Sequence, residues 1–421
     1  MPEAAGALTD HRGRPRVAVT GMGVKAPAGS DLDTFWGRIR GAQPTAGPIQ
    51  AFDTTDQPVK FACEVRDFDP TPYFNPKEQR RQDRVTQLGF AAAADALSDA
   101  GELGATDPER CAVIAASGVG GLHTLEENCE TYFEKGPSRV SPFFVPMMMP
   151  NATAGLISIR FGWTGPALCI ATACAAGANA IGEGARLIRD GSSDVVIAGG
   201  TEFPITRITV AAFARMTALS SRNDDPQHAS RPFDADRDGF VIAEGSGFFV
   251  LESLERARTR GARIYGEVAG YGRNADAYHI TAPSPGGTGA ARCMEQALDD
   301  AGLSPADVGH INAHGTSTEL NDLAESQAIN KVWGDSSPPV TSSKGVLGHM
   351  IAGAGAAEAV VSMLSIRDGI VPPTANFERP GDDINLDIVT GAPREIGAKP
   401  VISNSFGFGG HNASLVLTPT A

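Results

Sequence analysis

Long apolar runs are missing from this 421-residue sequence, and so is the pattern of a secretory signal. No stretch approaches the roughly 18 consecutive apolar residues that a membrane-spanning helix requires. The first residues, MPEAAGALTDHRGRPR, contain no apolar core of the kind found in signal peptides. We therefore expect a cytoplasmic protein that has no membrane partner and begins with a flexible tail over residues 1–15.

Positive charge is also scarce. The chain carries 35 lysines and arginines against 49 aspartates and glutamates, a formal net charge of −14. Nucleic acid is excluded as the main partner, because phosphate binding requires a basic face. An acidic protein partner would need a local basic patch, and the densest basic cluster lies in residues 77–84.

Cysteines with the spacing of metal ligands are absent. The six cysteines show no C-x-x-C spacing and no partnering histidine pattern; they are Cys63, Cys111, Cys129, Cys169, Cys174 and Cys293. Neither a zinc site nor a disulfide framework is indicated, and we expect no metal.

Two glycine-containing segments come close to known binding loops but lack a required residue. Residues 20–26 have Ala26 where a dinucleotide-binding G-x-G-x-x-G motif requires glycine. Residues 234–245 begin like a calcium loop but have Gly245 at the twelfth position, where glutamate is needed. We interpret the second segment as a structural turn.

Apolar β-branched runs do alternate with alanine-rich helical stretches, which is typical of an α/β protein with covered sheets. The predicted strands are 16–20, 111–116, 195–198, 248–251, 264–270, 310–312, 340–342 and 414–417. The predicted helices include 88–100, 175–189, 287–301, 322–332 and 354–367. An internal echo also appears: ALSDAG at 96–101 returns as ALDDAG at 297–302, and RDG at 189–191 returns at 367–369. In the same order, these echoes favour two duplicated halves.

Cys174 is surrounded by residues with almost no side chain, in Thr172-Ala173-Cys174-Ala175-Ala176-Gly177-Ala178. A short apolar run at 166–170, suited to a buried strand, precedes it, and a helix follows. The thiol is therefore expected at a sharp turn near the positive end of a helix dipole, which would lower its pKa and leave backbone N–H groups free to hold an oxyanion. Cys169, within the strand, is interpreted as a packed core thiol.

Two of the eight histidines follow predicted strands in the second half. His314 is the first residue of HGTST. His349 is the last residue of segment 343–349, which also contains Lys344. A nucleophilic thiol usually requires such a base or proton carrier, whereas the other histidines are interpreted as structural, with His411 ambiguous. Lys344 in an apolar segment would need a buried counterion, and Glu358 on the next helix can supply it. The loop NSFGFGG at 404–410 suggests a hinge beside the site.

These four motifs, in this order, resemble those of the β-ketoacyl-acyl-carrier-protein synthases, most closely the elongating type II enzymes. The resemblance runs from Val17 to Leu417. It implies the thiolase-like α/β fold, in which duplicated halves form a five-layer αβαβα sandwich. The halves would span residues 16–262, with the nucleophilic cysteine, and 263–421, with the two histidines.

The resemblance also implies roles for individual residues. Cys174 would carry the acyl chain as a thioester, while His314 and His349 would promote malonyl decarboxylation without any cofactor. The amides of Cys174 and Phe408 would form the oxyanion hole. The remaining implied roles are Lys344 with Glu358 ordering the site, Thr316 and Thr318 contacting the pantetheine arm, Phe408 gating and Phe213 lining the acyl pocket, and Phe406, Gly407, Gly409 and Gly410 supporting the glycine loop.

The partner implied by the resemblance is acyl carrier protein, which is acidic and needs a positive docking spot. The predicted docking residues are Lys77, Arg80, Arg81 and Arg84.

The pathway is a separate question, because the chain departs from the usual fatty-acid pattern. Glu319-Leu320-Asn321-Asp322 stands where fatty-acid synthases have Pro and Gly before Asp, and Ala175-Ala176 replaces a hydroxyl-bearing residue. Asn321-Asp322 resembles ketosynthase subunits of bacterial type II polyketide systems, as do Asn223-Asp224-Asp225-Pro226 and Ala229-Ser230-Arg231-Pro232-Phe233-Asp234. We therefore favour polyketide or polyene biosynthesis, with housekeeping type II fatty-acid elongation as the alternative.

Other readings remain open at this point. The protein would be a homodimer, or a heterodimer with a chain-length-factor homologue. A coenzyme-A-dependent thiolase, a non-catalytic chain-length partner and a cysteine hydrolase are weaker alternatives. The thiolase reading lacks a second cysteine in the C-terminal glycine loop, and the intact cysteine and histidines argue against the non-catalytic partner.

Overall fold

The computed structural model describes residues 7–334 and 336–420, over which strands and helices alternate. The strands are β1 Val17–Lys25, β2 Gly47–Pro48, β3 Phe61–Ala62, β4 Cys111–Ala116, β5 Ala167–Ile170, β6 Val195–Glu202, β7 Gly245–Ser253, β8 Gly266–Ala275, β9 His310–Asn312, β10 Val340–Thr341, β11 Ile370–Val371, β12 Arg394–Glu395, β13 Val401–Gly407 and β14 His411–Thr418. The helices are α1 Leu32–Arg40, α2 Pro76–Gln79, α3 Arg84–Ala100, α4 Leu122–Lys135, α5 Phe144–Met148, α6 Ala152–Phe161, α7 Ala176–Arg189, α8 Arg207–Arg215, α9 Leu254–Thr259, α10 Thr288–Ala301, α11 Glu319–Trp333, α12 Lys344–Leu347 and α13 Ala354–Asp368. Within those described ranges, no helix is long and apolar enough to cross a bilayer.

Ten strands form one sheet in the order β10-β9-β13-β14-β8-β1-β7-β6-β4-β5. The sheet consists of two sets of five strands, and among the described residues the sets pair with each other only at Ala18 with Glu267 and Val19 with Gly266. In one set β4 runs parallel to β5 and β6, and β7 is antiparallel to β6 and β1. In the other, β9 runs parallel to β10 and β13, and β14 is antiparallel to β13 and β8. The two sets therefore have the same topology.

The duplication predicted from the sequence echo is confirmed by the order of elements. The first half runs β1, α3, β4, β5, α7, β6, β7, and the second runs β8, α10, β9, β10, α13, β13, β14. The first echoed segment ends α3 and α10, and the second ends α7 and α13. Each echo thus marks a pair of equivalent helices.

Five layers result from this packing. Helix α3 packs on β1 and β7, α10 packs on β8 and β14, and α7 and α13 contact each other between the two sets of strands. Helix α13 is buried over residues 354–366, which explains why these residues, apart from Glu358, are apolar or small on all sides. The αβαβα sandwich expected from the resemblance is therefore present.

The central helices approach each other closely because small residues line their contact. A side chain on Gly177 of α7 would place its Cβ 2.6 Å from the carbonyl oxygen of Ala352 and 2.8 Å from the backbone nitrogen of Ala356. No Cβ fits at such distances, so glycine is required here. The small residues around Cys174 thus allow α7 and α13 to touch.

The turn at 234–245 is structural, as predicted. The buried carboxylate of Asp234 accepts hydrogen bonds from the backbone N–H groups of Asp236, Glu378 and Arg379 and pairs with Arg231 at 2.9 Å. It thereby ties the turn to the segment after β11. Residues 20–25 lie inside β1 rather than in a loop.

The flexible tail expected over residues 1–15 stays a prediction, and residues 7–15 of it lie within the described residues. Residues 1–6 lie outside the described residues. Beyond them, Arg12 pairs with Asp299 at 2.7 Å, and Arg14 pairs with Asp300 at 2.7 Å and with Asp10 at 2.7 Å. These ion pairs hold residues 10–14 against the end of α10.

The strand before Cys174 is exposed rather than buried, so that prediction is wrong. β5 is the last strand of the sheet and pairs with β4 alone among the described strands. Leu168 is consequently 54% exposed, and Cys169 is half-buried rather than a packed core thiol. An edge strand that is covered by another element or molecule has the same apolar pattern as a strand buried inside the sheet. The sequence alone therefore does not distinguish the two.

Candidate active site

A cavity of about 780 Å³ brings together the four motifs identified in the sequence. Cys174, His314 and His349 line it. The other predicted site residues in its wall are Phe213, Thr316, Thr318, Phe406, Gly407, Phe408 and Gly410. Lys344 and Glu358 lie behind the histidines rather than in the wall. The cavity therefore collects side chains from both duplicated halves.

Cys174 lies in a 3-10 turn, Ala173–Ala175, between β5 and α7. Ala173, just before it, has a positive φ of 48°, a conformation that costs energy for a residue with a Cβ. The backbone amides of Phe408 and Cys174 both act on the sulfur in the direction that lowers its pKa. Two amides acting on one atom are what an oxyanion hole requires.

The pKa of the Cys174 thiol is raised, contrary to the prediction from the helix dipole. Burial raises it to about 11, although the charge of Lys344 and the two amides act in the opposite direction. Desolvation of a thiolate in a closed site outweighs these favourable interactions. In the resting site Cys174 is therefore a thiol, and its proton must be removed during the reaction.

His349 is positioned to exchange that proton. Its Nε2 lies 3.1 Å from the sulfur of Cys174, and its ring centroid lies 5.4 Å from that of His314. Burial lowers the pKa of both histidines well below 6.5, and the positive charge of Lys344 lowers them further. Both imidazoles are therefore neutral at pH 7. One ligand atom from each of these three side chains lies within 4.8 Å of the others, a set that could also bind zinc, so the absence of a metal stays a prediction.

A buried ion pair orients His314. The ammonium of Lys344 donates to Glu358 at 2.5 Å and to the backbone oxygen of His314 at 2.6 Å, and it lies 3.4 Å from His314 Nδ1. An ammonium group can only donate, so Nδ1 is the acceptor and the ring proton is on Nε2. The arrangement thus leaves an N–H donor directed away from Lys344.

His349 is held through its backbone and by one ring. Its N–H donates to the carbonyl oxygen of Val241 at 2.7 Å, and its carbonyl oxygen accepts from the N–H of Ala243 at 3.0 Å. The ring of Phe240 meets the imidazole edge-on at 5.2 Å, and Phe213 of α8 meets Phe240 at 5.4 Å. Segment 240–243 was missed from the sequence, because it carries no motif and becomes adjacent only in the fold.

Glu325 was also missed. Its carboxylate accepts from the backbone N–H groups of His314 at 2.8 Å and Gly315 at 2.7 Å, and burial raises its pKa to about 7. The available signal was the pair Asp322 and Glu325, three residues apart in α11, because this spacing puts two carboxyl groups on one helix face. That face is buried against the loop that carries His314.

Residues 404–407 of the predicted glycine loop lie in β13 rather than in a loop, and residues 408–410 form the turn to β14. Gly407 contacts the turn that carries Cys174. A Cβ on Gly407 would lie 2.8 Å from the carbonyl oxygen of Thr172 and 3.0 Å from the nitrogen of Cys174. The ring of Phe406 meets His314 at a centroid distance of 6.0 Å. Across the cavity, the hydroxyls of Thr316 and Thr318 lie 2.9 Å apart.

The basic cluster is divided by the structure. Lys77, Arg80 and Arg81 are exposed, and the Arg81 guanidinium stacks on the ring of Phe143 at 4.4 Å. Arg84 differs, because its guanidinium pairs with the buried carboxylate of Glu244 at 2.5 Å. Its charge is already neutralised, so the docking prediction is not supported for Arg84.

Comparison with known proteins agrees with this site. The sequence matches the family model described as beta-ketoacyl synthase, N-terminal domain over residues 14–257 and that described as beta-ketoacyl synthase, C-terminal domain over residues 265–378. The 3-oxoacyl-acyl-carrier-protein synthase 2 of Synechocystis sp. is 47% identical over 410 residues, covering 96% of this chain and 98% of the relative. The protein of that name from Staphylococcus aureus (strain COL) is 44% identical over 405 residues, with the same shares covered.

Solved structures give the same result. The ishigamide ketosynthase/chain length factor superposes with a TM-score of 0.92 at 35% identity, covering 97% of this chain and 100% of that chain. A type II PKS acyl-carrier protein in complex with its ketosynthase bound to the hexaketide gives a TM-score of 0.88 at 34% identity, with the same coverage. The thiolase-like fold and the acyltransferase class expected from the resemblance are confirmed, and the chain belongs to the β-ketoacyl synthase family.

Proposed function

We propose that this chain is a β-ketoacyl-acyl-carrier-protein synthase of type II fatty-acid elongation, which lengthens an acyl chain held on Cys174 by two carbons from malonyl-acyl carrier protein. The observation that carries this proposal is the His349 Nε2 lying 3.1 Å from the Cys174 sulfur, with the His314 ring beside it. Two neutral imidazoles next to a thiol suit condensation better than hydrolysis, because a cysteine hydrolase needs one histidine oriented by an acid or amide.

The first step is transfer of the acyl group to Cys174. The sulfur attacks the thioester carbonyl of the acyl carrier, a carbon–sulfur bond forms to Cys174, and the bond to pantetheine breaks. Because the resting thiol is protonated, its proton passes through His349 to the leaving pantetheine sulfur. The amides of Cys174 and Phe408 stabilise the oxyanion of the tetrahedral intermediate.

The second step is decarboxylation of the malonyl thioester. Once Cys174 is acylated it no longer donates to His349 Nε2, and His349 adopts the tautomer that carries its proton on Nε2. The Nε2–H groups of His314 and His349 then donate to the thioester carbonyl oxygen as carbon dioxide leaves, and the enolate forms without a cofactor. The enolate carbon attacks the Cys174 thioester, the carbon–sulfur bond to Cys174 breaks, and the leaving thiolate takes a proton from His349, which regains one from solvent. Lys344 and Glu358 keep His314 in its donating tautomer, and a dry cavity protects the carbanion from water.

Acyl carrier protein is the proposed partner. The exposed residues Lys77, Arg80 and Arg81 supply positive charge on a chain of net charge −14, and electrostatic complementarity favours an acidic partner there. Thr316 and Thr318 line the cavity that contains Cys174 and would contact the pantetheine arm.

A dimer formed through β5 is also proposed. This edge strand carries Leu168 at 54% exposure, and exposed apolar residues lie on neighbouring elements: Val119, Phe133, Val145 and Ile159. An exposed apolar edge of this kind is normally covered in the working protein. The partner is a second copy, or a chain-length-factor homologue in the second pathway considered next.

Identity favours fatty-acid elongation over the polyketide pathway that the sequence departures suggested. The 3-oxoacyl-acyl-carrier-protein synthases 2 are 47% and 44% identical, against 35% and 34% for the polyketide ketosynthase structures. Polyketide synthesis remains a second candidate because the segment Glu319-Leu320-Asn321-Asp322 departs from the fatty-acid pattern.

The test is to incubate the pure protein, alone and with candidate partner subunits, with acyl- and malonyl-carrier proteins and to weigh intact species by mass spectrometry. An acyl adduct on Cys174 that converts to a carrier-bound product two carbons longer is expected. Repeated extension without reduction, only when a second subunit is present, would move the assignment to polyketide synthesis. An adduct released by water alone, or no adduct, would overturn the synthase proposal.

A further inference from the structure

Arg84 begins α3 beside the basic cluster, but its guanidinium faces inward. Its Nε donates to Glu244 Oε2 at 2.5 Å, and its Nη2 donates to Glu244 Oε1 at 2.9 Å and to the carbonyl oxygen of Val65 at 2.8 Å. The guanidinium also lies against the rings of Phe68 and Phe203, at 5.9 and 5.6 Å. This two-pronged pairing with a buried carboxylate fixes geometry as well as charge.

Glu244 ends the segment that holds His349. Glu244 Oε1 accepts from the N–H of Val65 at 2.8 Å, and the Glu244 N–H donates to the carbonyl oxygen of Cys63 at 3.2 Å. One residue earlier, the N–H of Ala243 donates to the carbonyl oxygen of His349. Arg84 is thus connected to His349 through Glu244 and a single peptide unit.

His349 depends on this backbone contact more than His314 does. His314 Nδ1 faces Lys344, which orients that ring, whereas His349 Nδ1 has no hydrogen-bond partner within residues 7–334 and 336–420. The direction of the His349 ring therefore depends on the register of its two backbone hydrogen bonds with Val241 and Ala243. Any shift of segment 241–244 moves Nε2 relative to the Cys174 sulfur.

We propose that Arg84 is a positioning residue for the condensation site, which holds His349 in register with Cys174 by fixing Glu244 and the segment before it. The proposal rests on the proposed function, since it concerns the rate at which His349 acts. It assigns Arg84 a task different from that of the exposed Arg80 and Arg81. A docking residue contributes to binding of the carrier, whereas a positioning residue contributes to the chemical step, whatever carries the substrate.

The experiment compares two malonyl donors, malonyl-carrier protein and free malonyl-pantetheine, in a decarboxylation assay. The variants are Arg84→Gln, Arg84→Lys and Glu244→Gln, with Arg81→Gln as the docking control. Arg16→Gln is the structural control, because Arg16 forms a similar ion pair with Glu267 at 2.5 Å, away from the cavity. Folding of each variant is checked by its thermal midpoint.

We expect Arg84→Gln and Glu244→Gln to lower kcat about ten- to a hundredfold with both donors, because a small misplacement of a reacting group has effects of that size. KM for malonyl-carrier protein should stay within about twofold, and Arg84→Lys should recover part of kcat. Arg81→Gln should raise KM for the carrier-bound donor and leave malonyl-pantetheine unaffected.

Three results would count against the proposal. A rise in KM for the carrier-bound donor alone would make Arg84 a docking residue. An equal fall in kcat and thermal midpoint for Arg84→Gln and Arg16→Gln would make its contribution purely structural. Unchanged kcat in both Arg84 variants would exclude a positioning role. Failure of the wild-type protein to decarboxylate either donor would instead overturn the proposed function.

Discussion

The thiol of Cys174 combines high reactivity in the proposed reaction with a pKa above the ordinary range. Burial sets that pKa at about 11, so the thiolate fraction at pH 7 is small. The protein relies on the 3.1 Å contact with His349 to move the proton when substrate is bound. The rate at which a small alkylating agent modifies Cys174 in the substrate-free protein therefore depends on the pKa of the buried thiol.

We predict that iodoacetamide alkylates Cys174 about tenfold faster for each unit of pH between 7 and 10, because the rate follows the thiolate fraction below the pKa. Peptide mass spectrometry separates Cys174 from the exposed Cys129. A rate that levels off near neutral pH would show that the dipole and Lys344 outweigh burial after all.

The buried ion pair between Lys344 and Glu358 gives a second prediction at the scale of single residues. Removing one partner leaves the other charge buried, so Glu358→Gln should lower the free energy of unfolding by about 3–5 kcal/mol. The double variant Lys344→Met/Glu358→Leu should recover much of that stability, because no charge remains buried. It should still decarboxylate malonyl thioesters at least about tenfold more slowly, because His314 loses the donor that fixes its tautomer. Wild-type decarboxylation in the double variant would contradict this assignment.

His310 gives a third prediction at the scale of single residues. It lies buried in β9, neither ring nitrogen has a partner among the described residues, and burial lowers its pKa to about 3. The unfolded chain protonates this histidine below about pH 6.5 and the folded chain does not, so its contribution to stability falls as pH falls. Relative to wild type, His310→Leu should gain about 2 kcal/mol between pH 7 and pH 5. Urea unfolding at pH 7 and pH 5 measures the free energy of unfolding of both proteins. An equal change in that free energy for wild type and His310→Leu would refute the prediction.

At the scale of elements, the contact between α7 and α13 sets the distance between Cys174 and the second half. Gly177→Ala should push the helices apart, since its Cβ would lie within 3 Å of backbone atoms of Ala352 and Ala356. We expect a loss of about 1–3 kcal/mol in stability and slower acylation of Cys174, followed by mass spectrometry. Gly37→Ala is the matched control, because a Cβ there meets nothing within 4 Å in the exposed part of α1; equal effects of both changes would refute the packing argument.

Helices and strands were predicted correctly where the apolar pattern of the sequence matches the burial of the element in the fold. Strands 111–116 and 310–312 were predicted with their observed bounds, and helices 288–301 and 354–368 to within one residue. Strands β4 and β9 and helix α13 are buried on all sides, so their apolar pattern determines them, and α10 alternates buried and exposed residues with the period of a helix. Helix α4 was not predicted, because it is mostly polar and Gly121 provides no side-chain cap. Strand β5 was predicted, but its exposure was not.

At the scale of the whole molecule, the proposed dimer forms through the exposed edge at β5. Leu168→Lys adds a charge to the centre of the proposed interface and should convert the dimer to a monomer, because an unpaired charge there must be desolvated. Analytical ultracentrifugation measures the change. Ile208→Lys is the control, since Ile208 is 65% exposed on α8 and lies outside that strand. A wild-type monomer, or a variant dimer as tight as wild type, would contradict the interface.

The residues that carry the proposed chemistry could be predicted from the sequence, but the residues that hold them in place could not. Cys174, His314, His349 and the glycine loop each lie in a short motif that can be read along the chain. Glu325, Phe240 and the Arg84–Glu244 pair support these residues from positions that are distant in sequence. Their side chains are ordinary in type and spacing, so only the fold reveals what they contact.

The two central helices begin in the same way, and this likeness has an evolutionary consequence. The turn Ala173–Ala175 before α7 is matched by the turn Ile351–Gly353 before α13, and Ala173 and Ile351 have φ values of 48° and 46°. Ala352 thus occupies the position in the second half that Cys174 occupies in the first. The two positions descend from one position in the ancestor of the two halves. After duplication, the first half carries the reactive cysteine there, and the second carries an alanine whose backbone packs against Gly177 of α7.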